Sequence, residues 1–217
     1  MQKNFAQADY AATARQAAAE GAVLLRNYRH ALPLEEGCRV AVFGRNQLHY
    51  YRCGIGSGGM VNSAYVVSIL DALKADSDIV LNQAVLSAYE AWHEAHPLEG
   101  CNEWGEEPWS QAEMPLPEAL VQQAAKTSDA ALICIGRTAG EDHDSSAAPG
   151  SFLLTEEEER TIRLVCRYFP RSIVVLNTAG IIDMTWVKRC NPAAILYVWH
   201  GGQEGGNGAA DVLTGRV

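Results

Sequence analysis

Four short runs along the chain are apolar at almost every position: RVAVFG (39–44), DAALICIG (129–136), SIVVLNT (172–178) and AAILYVW (193–199). Continuous runs of this length, rich in Val and Ile, suit strands buried on both faces of a parallel sheet. SDIVLNQ (77–83) is a weaker fifth strand candidate. Between them, helical spacing of apolar positions predicts helices at roughly 9–27, 63–75, 84–96, 115–127, 155–169 and 203–214. Thr155 followed by Glu158 marks a capping-box start for the fifth helix. Strand and helix in alternation predict an open three-layer α/β sandwich, its sheet mostly parallel and its helices on both faces. Ligands of such a sheet bind in the crevice at the carboxyl ends of the strands. The loops after Phe43, Ile135, Leu176 and Trp199 are therefore the places to look for chemistry.

One stretch breaks the rhythm. Residues 97–117, PLEGCNEWGEEPWSQAEMPLP, are acidic, carry Trp104 and Trp109, and are too long for a routine connection. They predict either a functional loop beside a site or an insertion packed by its own aromatics. The length of 217 residues accommodates a single domain with a real core. A net charge of −9 argues against nucleic acid or an anionic membrane as partner. No apolar run is long enough to span a bilayer, and the N-terminus reads as an alanine-rich helix rather than a secretory signal. The six cysteines, Cys38, Cys53, Cys101, Cys134, Cys166 and Cys190, include no C-x-x-C pair. They read as buried free thiols of a reducing, cytoplasmic compartment, and neither a metal nor a cofactor is expected.

Gly54, Gly56 and Gly59 lie at G-x-G-x-x-G spacing, with Asp76 and Asp78 downstream where a ribose-binding acid could lie. A dinucleotide site requires its first glycine in the turn that leaves the strand. Here RNQLHYYRC intervenes after Gly44, which favours a plain glycine-permitted loop. Glu90 and His93 stand at E-x-x-H spacing, but no second such motif exists to complete a di-iron site, so a solvated helix face is expected. The loop LICIGRTAGEDHDSS is different, because it delivers Arg137, Glu141, Asp142, His143 and Asp144 from the end of a buried strand. Glu141, beside Gly140, is a candidate general acid and base; apolar walls around it would raise its pKa. A solvated acidic loop is the competing reading.

Taken in order, these loops resemble one family. EGAVLLRNYRHALPL, VAVFG and GIGSGG resemble the start of the second domain of family 3 glycoside hydrolases, the β-glucosidases and their relatives. RTAGEDHDSSAAPGSFLLTEEEERTI resembles that domain's R-x-S-G-E-x-x-D loop and its downstream G-x-F-x-L-x-x-x-E segment. SIVVLNTAGIIDMTW and AILYVWHGGQEGGNGAADVLTG resemble its two closing motifs. The resemblance implies an α/β sandwich packed against a (β/α)8 barrel. The barrel would supply an aspartate nucleophile and this domain the acid/base, Glu141, on a carbohydrate substrate. Retaining hydrolysis needs two such carboxyl groups about 5–5.5 Å apart. By the same resemblance Arg137 and Asp144 order the loop and tune Glu141. Gly54, Gly56 and Ser57 belong to a compact loop on the crevice rim near Glu141, where the backbone can approach the sugar or the partner domain.

The match departs from the family pattern at Ser145, where arginine is common, and at Gly201, where proline is common. Glu204 stands at a helix start, where a structural role is expected, and His200 is expected to be packed or solvent-facing. A barrel alone takes about 250 residues, so the chain is expected to be a fragment of a longer enzyme, inactive by itself. Starting at Met1 without a barrel suggests the order with this domain first, although an engineered start would look the same. A homo-oligomer is compatible with the pattern. The rival reading is a non-catalytic carbohydrate-binding or assembly module, with Trp104 and Trp109 as sugar-stacking rings.

Overall fold

The computed structural model describes residues 7–57, 59, 62–101 and 106–217. The sheet comprises β1 (Val23–Asn27), β2 (Cys38–Phe43), β3 (Ile79–Leu81), β4 (Ala130–Arg137), β5 (Ser172–Thr178) and β6 (Ala194–Tyr197). Their spatial order is β1-β6-β5-β4-β2-β3, parallel throughout except for β1, which runs antiparallel to β6 at one edge. The helices are α1 (Gln7–Gly21), α2 (Ile69–Ala75), α3 (Gln83–Ala95), α4 (Glu118–Ala125), α5 (Glu156–Tyr168), α6 (Trp186–Cys190) and α7 (Gly205–Leu213).

Period-two alternation sends successive strand residues to opposite faces. Val40, Val42, Leu132, Cys134, Ile173 and Val175 bury against Ile69 and Leu73 of α2 and Ala209 and Leu213 of α7. Ala41, Phe43, Ile133, Ile135, Val174 and Leu176 bury against Tyr89 of α3, Val121 of α4, Ile162 of α5 and Trp186 of α6. Because both faces are covered, the strand sequences carry no polar alternation. Each fully buried Val, Leu or Ile contributes about 1.5–3 kcal/mol. The layer of α2 and α7 is completed by α1, whose Arg15 is paired with Asp211 of α7 at 2.6 Å. The predicted three-layer sandwich is the architecture observed.

Two boundaries differ from expectation. The helix predicted over 9–27 ends at Gly21, and Val23–Asn27 forms the edge strand β1. Pairing with Tyr197 and Leu196, far along the chain, overrides the local helical pattern, and a register shift between Leu24 and Arg26 bends this edge. The helix predicted from 63 begins only at Ile69, where Ser68 and Asp71 close a capping box. α6 was not anticipated, because five residues are too few for a helical period to register. The Thr155–Glu158 capping box forms as read, with both reciprocal hydrogen bonds present. Among the described residues, no helix is long and apolar enough to cross a membrane. All six cysteines are free, but only Cys38, Cys134 and Cys190 are buried as expected; Cys53 and Cys166 are half-buried and Cys101 is exposed.

Candidate functional site

The loops leaving β2 and β6 are tied to β5 beneath the crevice by one side chain. Asn177, near the end of β5, is fully buried. Its Oδ1 accepts from Tyr51 N at 2.8 Å and from Asn46 Nδ2 at 3.1 Å. Its Nδ2 donates to Tyr51 O at 3.0 Å and to Trp199 O at 2.6 Å. An amide that uses both ends this way fixes two loops at once, and each buried bond is expensive to leave unmade. In the sequence Asn177 is marked only as an amide directly after the apolar run Ile173–Leu176. Trp199 holds a left-handed backbone at φ +55°, with Nε1 donating to Gly21 O at 2.8 Å. His200 is packed: burial lowers its pKa, and its neutral ring meets Arg137 O through Nε2 at 2.8 Å. Glu204 is buried and structural, accepting from Tyr65 Oη and from Asn207 Nδ2 at 2.7 Å.

Arg137 is the last residue of β4, and its guanidinium turns inward. Two bonds of 2.6 Å join it to both carboxylate oxygens of Glu158, while Nε donates to Ser151 O at 2.8 Å and Nη2 to Leu153 O at 3.2 Å. It therefore folds the returning half of the loop onto the start of α5 and has no bond to Glu141. Asp144 is exposed, and its carbonyl accepts from Trp109 Nε1 at 3.1 Å. Trp109 packs its ring 4.7 Å from that of His143, and Trp109 O accepts from Thr138 N at 2.8 Å. The 97–117 segment thus braces the Glu141 loop from the side. Trp104 lies outside the described residues.

Glu141 stands at the exposed tip of this loop. Ile55 and Gly140 form a parallel bridge, with Ile55 N donating to Ala139 O at 3.1 Å. A Cβ on Gly140 would collide with the Ile55 carbonyl, and one on Gly56, at φ +87°, would lie 2.5 Å from the Cβ of Glu141. Glycine at both positions is therefore what lets the two loops interlock. A Cβ on Gly54 would meet Ala139 O at 2.5 Å, so that glycine serves the same contact. Ser57 N donates to Glu141 Oε2 at 3.0 Å. The Ser57 backbone bond, supported by its side chain, lowers the Glu141 pKa. The expected rise in apolar walls is thus reversed in this chain, because the carboxylate is open to water and receives an N–H.

Between the β2 loop and the 97–117 segment lies a cleft of about 440 Å³, bordered by Gly54, Gly56, His49 and Glu107. The glycine motif does not leave a strand: β2 ends at Phe43, a tight turn follows at Arg45–Gln47, and the next helix is α2. The α2 N-terminus that borders the cleft is closed by its own Ser68–Asp71 capping box, and the strand–turn–helix order of a dinucleotide site is missing, which argues against the dinucleotide reading. Glu90 is on a solvated face, paired with Lys74 at 2.9 Å.

The likeness to known proteins extends over nearly the whole chain. Residues 22–217 match the family model described as the glycosyl hydrolase family 3 C-terminal domain. Over 209 residues the chain is 47% identical to a β-glucosidase of Ruminococcus albus, a match covering 96% of this chain and 22% of that protein. The fold superposes on a β-glucosidase from Paenibacillus barengoltzii with a TM-score of 0.93 at 44% identity, covering 96% of this chain and 23% of that one. On β-glucosidase 3B from Thermotoga neapolitana in complex with glucose, the TM-score is 0.84 at 33% identity, over 97% of this chain and 30% of that one. The chain spans less than a third of the length of each of these relatives. With the match running from just before β1 to the last residue, the chain belongs to the glycosyl hydrolase family 3 C-terminal domain family.

Proposed function

We propose that this chain is the acid/base-bearing domain of a retaining exo-β-glycosidase, a β-glucosidase that removes terminal β-linked sugars from short oligosaccharides and glycosides. The observation that carries the reading is Glu141: a carboxylate at the exposed tip of a strand-end loop, locked by glycines to a second loop. A general acid must hold its proton near the working pH, whereas Glu141 in this chain is biased toward the carboxylate. Docking of a (β/α)8 barrel would expel water and bring a second carboxylate to about 5–5.5 Å, and both changes raise the Glu141 pKa. The nucleophile comes from the barrel and the proton from Glu141. Arg137 and Asp144 shape the loop, while Gly54, Gly56 and Ser57 set its rim. The free thiols suit a reducing compartment, and we assign the enzyme to the cytoplasm.

Glu141→Ala in the full-length enzyme tests the assignment. Turnover of glycosides with poor leaving groups collapses, while activated aryl glycosides, which need no protonation, retain far more; equal survival of both sinks the role. The chain by itself hydrolyses nothing, and measurable turnover by it would overturn the division of labour. A binding module is the second reading, favoured by the Trp109–His143 ring pair beside the loop. Saturable sugar binding by the chain alone, together with wild-type turnover in full-length Glu141→Ala, would select it.

A further inference from the structure

One wall of the cleft gathers three unlike donor atoms, from His49, Cys101 and Glu107. His49 Nε2 lies 3.0 Å from Glu107 Oε1, and Cys101 Sγ lies 3.4 Å from the same oxygen. All three donors fall within 4.8 Å of one another. Zinc bonds of about 2.0–2.3 Å in a tetrahedron put neighbouring ligand atoms roughly 3.3–3.6 Å apart, so small side-chain movements suffice to admit an ion. Imidazole, thiolate and carboxylate together favour a borderline-soft ion over magnesium or calcium.

The donors arrive from two segments that the fold already holds. His49 follows the Arg45–Gln47 turn, its ring edge-on to Tyr51 at 4.8 Å. Gln111 steadies the other side: its Nε2 donates to Glu99 O at 2.8 Å and reaches Cys101 Sγ at 3.5 Å, and its Oε1 accepts from Glu99 N at 2.9 Å. Outer contacts of this kind orient ligands. All three residues border the cleft, which leaves room for water at a fourth position. We propose that His49, Cys101 and Glu107 form a binding site for a zinc-class divalent cation, with its fourth position open to the crevice. On binding, the Cys101 S–H bond breaks, its proton leaves to solvent, and a sulfur–metal bond forms, with no change of oxidation state. The inference does not depend on the catalytic assignment of Glu141.

Cobalt(II) is the probe, because a thiolate ligand gives it a near-ultraviolet charge-transfer absorption. Titration of the purified protein should produce that band at one equivalent, with release of about one proton per ion. Cys101→Ser should abolish the band, Cys53→Ser on the same cleft should leave it intact, and His49→Gln and Glu107→Gln should each weaken binding more than about ten-fold. Should Cys101→Ser misfold, wild-type protein decides: zinc should protect Cys101 from alkylation, read by peptide mass spectrometry. No band, a band that persists in Cys101→Ser, or equal alkylation with and without zinc overturns the site and leaves a hydrogen-bonded clasp.

Discussion

Arg137, which ends β4, and Glu141, on the loop that follows, are four positions apart and are held in opposite ways. The guanidinium of Arg137 is buried and bonded to Glu158, Ser151 and Leu153. The carboxylate of Glu141 is open to water and receives the N–H of Ser57. The base of the loop is therefore complete within this chain, while its tip is shaped but not enclosed. The first holds the frame, and the second, under the acid/base role proposed above, is a group whose properties another surface can reset.

That contrast can be broken first at the base. Arg137→Ala leaves Glu158 buried without its partner, and a loss of about 3–5 kcal/mol is expected in urea denaturation. A loss below about 1 kcal/mol would mean that the loop does not depend on this pair. The next effect belongs to Glu113, whose carboxylate receives Arg45 N and Met114 N, each at 2.8 Å. Desolvation pushes its pKa up to about 7 from an ordinary 4.5, against those two bonds. Folded protein thus binds this proton more tightly than unfolded protein does. The Glu113 contribution to stability is fully present below pH 4.5, is lost as pH rises to about 7, and is level above it. The contribution is on the order of 3 kcal/mol, and Glu113→Gln should flatten that part of the stability–pH curve.

Gly140→Ala acts between base and tip. The added Cβ strikes the Ile55 carbonyl, so the two loops should part at a cost of about 1–3 kcal/mol. The Glu141 carboxylate should then lose the Ser57 bond, and its pKa, followed by carbon-13 NMR, should rise toward its ordinary value. An unchanged titration would show that Ser57 is not what lowers it. The smallest effect is at the tip. Glu141→Gln should leave the thermal midpoint of the chain where it was, and a clear drop would show that Glu141 supports the fold.

Elements that bury both faces were readable because their composition is decided locally: β2, β4, β5 and β6 announce themselves as apolar runs, and Thr155 with Glu158 marks the start of α5. β1 was not readable, because its strand state comes from pairing with β6 and its side chains stay largely exposed. Glu141 could be singled out by its place after a buried strand and a glycine. Its electrostatic state could not, since the group that lowers its pKa is 84 positions upstream. Asn177 is one more polar letter at the end of an apolar run, and which loops it joins is a property of the folded sheet. The donor set of His49, Cys101 and Glu107 was hidden for the same reason, because His49 is 58 positions from Glu107.

The edge pairing has a consequence in time. α1 and β1 are synthesised before their partners, α7 and β6; Arg15 and Asp211 are separated by 196 positions. Until those partners appear, Val23, Leu24 and Leu25 have no strand to join and the pocket for α1 does not exist. Closure of so long a loop comes late in folding and is slow relative to local pairing. During synthesis the Val23–Asn27 stretch thus has no strand partner until β6 has been made, and an unpaired apolar edge of this kind is open to mispairing in that interval.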